Sequence, residues 1–265
     1  MSMRMHGFLH FTLFALALSI VRPTFADVPR VDLVTDGIIL AGGVAAAGLS
    51  ELLGSLPPPW GSLGAPNISS VNTLDQAAMF PYSHGLDLAS TLLEYSTAAA
   101  PALFALVLDP GDFIPMALVY GEAVSYAFAV KNVLNFLLPR YRPYMYSGGA
   151  PGVASTEDDQ SFPSGHATVA FAAATAGVTI YAMSFPDSPF LVPFAVTSYG
   201  MAVLIGVFRV TSGMHFVTDV VAGAALGSAI GYLVPYLHRQ RTSKDRTGGL
   251  SLECTGPDLL VRFSY

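Results

Sequence analysis

Charge is what this chain has least of. Of its 265 residues, 11% are Asp, Glu, Lys or Arg and 52% are hydrophobic, whereas a soluble domain carries about 25% charged residues. A surface facing water needs more charge than this, so the composition argues against an ordinary soluble globule and against disorder. Basic residues are the scarcest. Twelve Lys and Arg stand against 18 Asp and Glu, for a formal net charge of -6, which gives no support to nucleic-acid binding. Between Val31 and His238 the only basic residues are Lys131, Arg140, Arg142 and Arg209. A cation inside an apolar body is costly unless it is paired or used, so these four are the first candidates for an anion site. The single cysteine, Cys254, excludes an intrachain disulfide, and no dense carboxylate or His/Cys set suggests a metal.

What is present in quantity is uncharged sequence. Phe190 to Phe208 and Val220 to Leu237 carry no charge, and Ser161 to Pro186 is interrupted only by His166. Phe113 to Val130 contains Glu122, and Leu88 to Leu108 contains Glu94 and Pro101. Each approaches the ~20 residues that span a bilayer core. Gly37 to Ser50 is shorter and is read either as a span or as an interfacial helix, giving four to six membrane helices. Small residues recur in these runs, as in Gly223-Ala224-Ala225, and allow close helix packing in lipid.

The length fits one domain, with flanks. Arg4, the apolar run Phe8 to Val21 and Thr24-Phe25-Ala26 read as a secretory signal over 1–26, cleaved after Ala26; the alternative is an uncleaved anchor helix. Residues 27–238 form the membrane domain, and 239–265 a basic, then irregular, tail. The basic cluster Arg239, Arg241, Lys244 and Arg246 places the end of the last helix in the cytoplasm. Counting back, the loops after Leu138 and Phe208 and the start of the Gly165 helix meet on the external face.

Three clusters gather on that face. The first is Lys131 with Arg140-Tyr141-Arg142-Pro143, the second Pro163-Ser164-Gly165-His166, and the third Arg209, His215 and Asp219. In the third, His215 and Asp219 are four apart and would share a helix face. A carboxylate there can hold the imidazole Nδ1 proton and leave the Nε2 lone pair facing outward. A guanidinium at Arg209 can fork onto phosphate oxygens. In the second, Ser164 is placed as a helix N-cap whose free N–H groups suit an oxyanion, and His166 can give or take a proton. Taken singly, each cluster also fits a plain cap, a helix-surface pair or lipid-facing arginines. Taken together they form a recipe for a phosphoryl pocket.

The three clusters resemble the signature of the type 2 phosphatidic acid phosphatase superfamily: K-x6-R-P, then P-S-G-H, then S-R-x5-H-x3-D. That group includes membrane lipid phosphate phosphatases, class A acid phosphatases and vanadium haloperoxidases. The resemblance covers about Phe113 to Leu237. Phe208 stands where the pattern has Ser, and Asn135 where it has Lys; Lys131 lies one turn earlier, ~6 Å down the helix. Either Lys131 or Arg140 takes the lysine's place.

The resemblance implies an all-α, multi-helix transmembrane bundle of about six membrane helices, related to the class A acid phosphatase/vanadium haloperoxidase helical core. It implies that His215 attacks phosphorus, that Asp219 orients it and that His166 protonates the leaving oxygen. Arg142, Arg209, Ser164 and the Gly165 N–H would hold the phosphate, joined by Lys131 or Arg140, and no metal or other cofactor is required. The expected partners are a lipid phosphate substrate and membrane lipids, with no nucleic acid and the oligomeric state open. The expected place is a bacterial inner membrane, with the site facing the periplasm. A soluble periplasmic acid phosphatase, a vanadate-dependent haloperoxidase and a non-enzymatic lipid-binding or transport protein remain as rivals.

Overall fold

Each long uncharged run folds as helix, because a backbone without water must satisfy its own hydrogen bonds. The computed structural model of the protein describes residues 29, 31–54, 56, 63–106, 108–147, 158–244, 250–255 and 258–263. The expected signal at 1–26 lies outside them. The helices are α1 (Leu33–Gly54), α2 (Thr73–Ala77), α3 (His84–Ala99), α4 (Pro110–Leu137), α5 (Tyr144–Ser147), α6 (Gly165–Ser184), α7 (Leu191–Thr211) and α8 (Val217–Lys244). Short 3₁₀ turns occupy Ile68–Ser70 and Ala100–Leu106. Helix starts follow local chemistry. Asn72 caps α2 by accepting from Asp75 N, Pro110 opens α4, and Ser164 caps α6 by accepting from Ala167 N.

Among the described residues, five helices are long and apolar enough to cross a membrane: α1, α4, α6, α7 and residues 217–239 of α8. This is a helical membrane protein. The sixth expected passage, Leu88 to Leu108, is built in two parts. The 16-residue α3 gives way at Ala100 to the 3₁₀ turn, where the Pro101 ring cannot continue an α-helix. Large apolar side chains stay exposed along α1, α7 and α8, among them Val34, Ile38, Val192, Val196 and Val221. That is the outward face expected in lipid rather than in water.

α6 sits at the centre. It runs parallel to α8, and glycines at every fourth residue bring the two backbones together. A Cβ at Gly223 would stand 2.6 Å from Ser164 O, one at Gly231 2.6 Å from Ala172 O, and one at Gly227 would run into Thr168 O. Close approach of this kind drives helix association where lipid removes the hydrophobic effect. We expect Gly227→Val to force the helices apart and to cost at least about 3 kcal/mol. The readout is the thermal midpoint and monodispersity in detergent, and an unchanged midpoint would rule the contact out as structural.

α1 runs parallel to α4, with Tyr126 OH donating to Ile39 O (3.0 Å) and Asn132 Nδ2 donating to Glu51 Oε2 (2.9 Å). The Gly37 to Ser50 run therefore lies within a 22-residue helix packed along α4. At one end of the bundle, Val31, Phe104, Phe185 and Phe190 pack around one apolar cluster. The other end carries the three sequence clusters. No residue after Pro235 and before Gly248 breaks a helix, so α8 continues to Lys244. Beyond it, Leu250–Thr255 (β1) and Asp258–Phe263 (β2) pair antiparallel, with Leu250 opposite Phe263 and Thr255 opposite Asp258.

Candidate active site

Where α4, α6, α7 and α8 meet, a cavity of about 680 Å³ opens. Its head is lined by Lys131, Asn135, Arg142, Gly165, His166, Arg209 and His215. Its body runs down α1, α3 and α4 past Leu40, Val44, Tyr95, Ala98, Val124 and Phe128. From Asn135 in the head to Gly121, head and body together run roughly 21 Å along α4. The cavity thus gathers Lys131, Arg142 and Arg209 at one end, where Glu51 and Glu94 also line it, and is mainly apolar towards the other.

Local rules place the head. Ser164 is fully buried as the α6 cap, its N–H donating to Asp219 O (3.0 Å). Gly165 opens α6, and Lys131 lies across it: a Cβ there would stand 3.0 Å from Lys131 Cε and 3.1 Å from Nζ. The lysine's one-turn displacement is thus bridged by its long side chain, which reaches the cavity. Asn135, at the position of the signature's lysine, is turned to the backbone and donates to Pro163 O (3.1 Å) and Gln160 O (3.4 Å). Arg142 and Arg209 are both buried. Arg209 pairs with Asp87, donates to Ser90 Oγ (3.2 Å) and presents an Nε that has no hydrogen-bond partner among the described residues. A buried unsatisfied donor of this kind suits an oxyanion.

His215 does not sit on α8. It lies in the turn before it, ahead of Phe216, so the four-residue spacing to Asp219 does not set a shared helix face. Its Nδ1–H donates to Ser161 O (2.8 Å), while Asp219 Oδ2 is 3.9 Å away. This corrects the expectation that Asp219 takes the Nδ1 proton. The tautomer is nevertheless the expected one, because a carbonyl only accepts, and Nε2 keeps its lone pair. Burial, then the charges of Arg142 and Arg209, push the His215 imidazole well below its ordinary pKa, so it stays neutral.

Asp219 acts one step back. As the third residue of α8 it accepts from Phe216 N (2.9 Å), a capping-box contact. It also accepts from Ser161 Oγ (2.6 Å) and from Arg140 Nη1 (2.5 Å). Arg140 therefore lies behind the site, not in it. Its guanidinium bridges Asp219 to Asp75 (2.8 Å), donates to Thr218 Oγ1 (2.8 Å) and stacks 4.2 Å over the Phe216 ring. Burial alone would push the Asp75 carboxyl up, but hydrogen bonds from Thr218, Arg140 and Asn72 outweigh it and hold the pKa below its usual value. Between the two rivals for the lysine's place, Lys131 lines the cavity and Arg140 does not.

Sequence reasoning missed α3's contribution. His166 Nε2 lies 3.0 Å from Thr91 Oγ1 and 3.2 Å from Glu94 Oε2, and Asp87 and Ser90 hold Arg209. These residues fall at intervals of three and four on one helical stripe. A polar stripe inside an apolar helix was the available signal. Asp75 carried none, since its partners lie 65 and 143 residues away.

The arrangement is that of a membrane helical bundle with an anion pocket under one end: two histidines, three cations and a helix N-terminus around a single cavity head. Residues 115–243 match the family model of the PAP2 superfamily. The chain is 32% identical over 120 residues to the undecaprenyl-diphosphatase of Sulfolobus acidocaldarius, covering 44% of this chain and 48% of that protein. It is 32% identical over 133 residues to phosphatidylglycerophosphatase B of Bacillus subtilis, covering 49% of this chain and 63% of that one. The matches thus span about half to just under two thirds of these relatives. The crystal structure of a transmembrane PAP2 type phosphatidylglycerolphosphate phosphatase from Bacillus subtilis aligns over 88% of this chain and 96% of its own, with 22% identity and a TM-score of 0.38.

Proposed function

We propose that the protein is a membrane phosphatase that hydrolyses a lipid phosphate or diphosphate through a phosphohistidine on His215. The observation that carries this is the shape of the cavity, whose cationic head and mainly apolar body together run roughly 21 Å along α4. An amphiphile with a phosphate head and a long hydrocarbon chain matches both ends, and a small soluble ester matches only the head.

His215 Nε2 attacks phosphorus, and the bond to the lipid oxygen breaks as His166 donates its proton to that oxygen. Water, losing a proton to His166, then attacks the phosphohistidine and breaks the P–N bond. Arg142, Arg209, Lys131 and the N–H groups at the start of α6 hold the non-bridging oxygens. Asp219 positions His215 through Ser161. The reaction centre draws its positive charge from side chains and so needs no metal. With the basic residues at the end of α8 in the cytoplasm, the site faces the opposite side, the periplasm in a bacterial inner membrane.

Glu94 Oε2, 3.2 Å from His166 Nε2, positions that imidazole. Glu94→Gln should lower kcat by about 10²-fold with little change in KM. An unchanged kcat, or a loss confined to KM, would remove Glu94 from the proton path.

Substrate class is tested by relative kcat/KM, in detergent micelles, on phosphatidate, phosphatidylglycerol phosphate, undecaprenyl diphosphate, lipid A and a soluble aryl phosphate. The names of the relatives put the second and third first. The preferred lipid should exceed the aryl ester by at least about 10²-fold, because binding along the apolar body contributes to transition-state stabilisation. Equal values would overturn the lipid reading.

A further inference from the structure

Some 20 to 30 Å from the cavity head, measured along α4 and α8, lies a second buried polar cluster. Asp36 on α1, Glu122 on α4 and His238 on α8 are 1%, 1% and 5% exposed. One ligand atom from each lies within 4.8 Å of the other two. His238 Nε2 is 3.4 Å from Asp36 Oδ1 and 3.3 Å from Glu122 Oε2.

We propose that Asp36, Glu122 and His238 form a structural divalent-cation site of the zinc class that fastens α1 to α4 and α8. Three features of the geometry support it. Zinc binds imidazole nitrogen and carboxylate oxygen at about 2.0 to 2.2 Å, so two ligands of a tetrahedral centre stand about 3.4 Å apart. Both imidazole-to-carboxylate separations match that spacing. The imidazole is also oriented from behind, since His238 Nδ1 donates to Val234 O (2.9 Å). A carbonyl only accepts, which fixes the proton on Nδ1 and aims Nε2 at the two carboxylates, the outer-shell pattern of metal-bound histidine. Asp36 is held the same way: its Oδ2 accepts from Asp32 N (2.7 Å), leaving Oδ1 toward His238.

Charge and architecture agree with this. Two carboxylates buried in a membrane-spanning body are costly, and a divalent cation offsets both while using a lone pair the imidazole already presents. The helix it would fasten is α1, which forms one wall of the cavity through Leu40, Val44 and Ala47. A clasp at the far end of α1 would hold that wall in place.

The test uses the full chain in detergent, stripped with a chelator and then incubated with Zn²⁺ or Co²⁺. The expected result is one equivalent of Zn²⁺ retained per chain through gel filtration, a thermal midpoint raised by several degrees, and visible absorption from four-coordinate Co²⁺. Glu122→Gln and His238→Gln should lose all three and remain monodisperse. If either fails to fold, Asp36→His, which exchanges one zinc ligand for another, should keep binding. Wild type that retains no Zn²⁺ or Co²⁺ would overturn the proposal, as would binding that survives His238→Gln. A midpoint that falls in the variants but never responds to metal would also overturn it and leave an imidazolium bridging two carboxylates. None of these readouts uses hydrolysis, so the outcome is separate from that of the phosphatase reading.

Discussion

His215→Ala should abolish phosphate release from every lipid phosphate the protein accepts, with kcat reduced by at least about 10⁴-fold. The argument rests on the lone pair. Ser161 O fixes the proton on Nδ1 (2.8 Å), and burial with Arg142 and Arg209 keeps the ring neutral. Nε2 is therefore available without a separate base, and alanine offers nothing in its place. Binding should survive in part, because Arg142, Arg209 and Lys131 still line the cavity head. Wild type quenched in mid-turnover should carry an acid-labile phosphoryl group that His215→Ala lacks. Release within tenfold of wild type would end the covalent mechanism. The pH profile adds a check with a definite sign. A histidine whose pKa is depressed keeps its lone pair as pH falls through the ordinary imidazole value of about 6.5. The acid limb of kcat/KM, where it comes from His215, should therefore lie below that value.

How much of this was legible in the sequence depends on the distance over which each signal acts. The helices were, because a run without charge is a local property. So was the convergence of Arg142, Ser164, His166, Arg209 and His215, because alternating helices bring their connecting loops to one face. The Nδ1 partner of His215 was not. The i to i+4 rule applies only within a helix, and α8 begins two residues after His215. Once the ring stands in the turn, a carbonyl 54 residues away becomes its neighbour and Asp219 is freed to cap α8. The rivalry between Lys131 and Arg140 was undecidable for a similar reason. Spacing gives a side chain's level along the helix, but Lys131 reaches the cavity by lying over Gly165, a contact only packing reveals. Arg140 was withheld by Asp75, a residue on a short helix that composition does not mark.

That placement of Arg140 makes its removal the second large effect, and one of a different kind. Arg140→Gln leaves Asp75 and Asp219, both fully buried, without the guanidinium that bridges them, and should lower stability by about 3 kcal/mol. Activity should fall as well, through Ser161. The Arg140 guanidinium fixes Asp219, which accepts from Ser161 Oγ (2.6 Å). Ser161 O in turn orients His215. Arg140→Lys should rescue neither property, because one ammonium cannot reproduce two nitrogens that each face a different carboxylate. Lys131→Met is the contrast: it should weaken substrate binding and leave the thermal midpoint near wild type. The Arg140→Gln deficit also carries a pH signature. The Asp75 carboxyl is held below its ordinary value, so the stability it contributes is present above the unfolded pKa of about 3.9 and is lost as pH falls through the folded one. The gap between wild type and Arg140→Gln should be full at neutral pH and narrow in strong acid. A gap that is absent at pH 7, or one that Arg140→Lys closes, would return Arg140 to the role of a direct phosphate ligand.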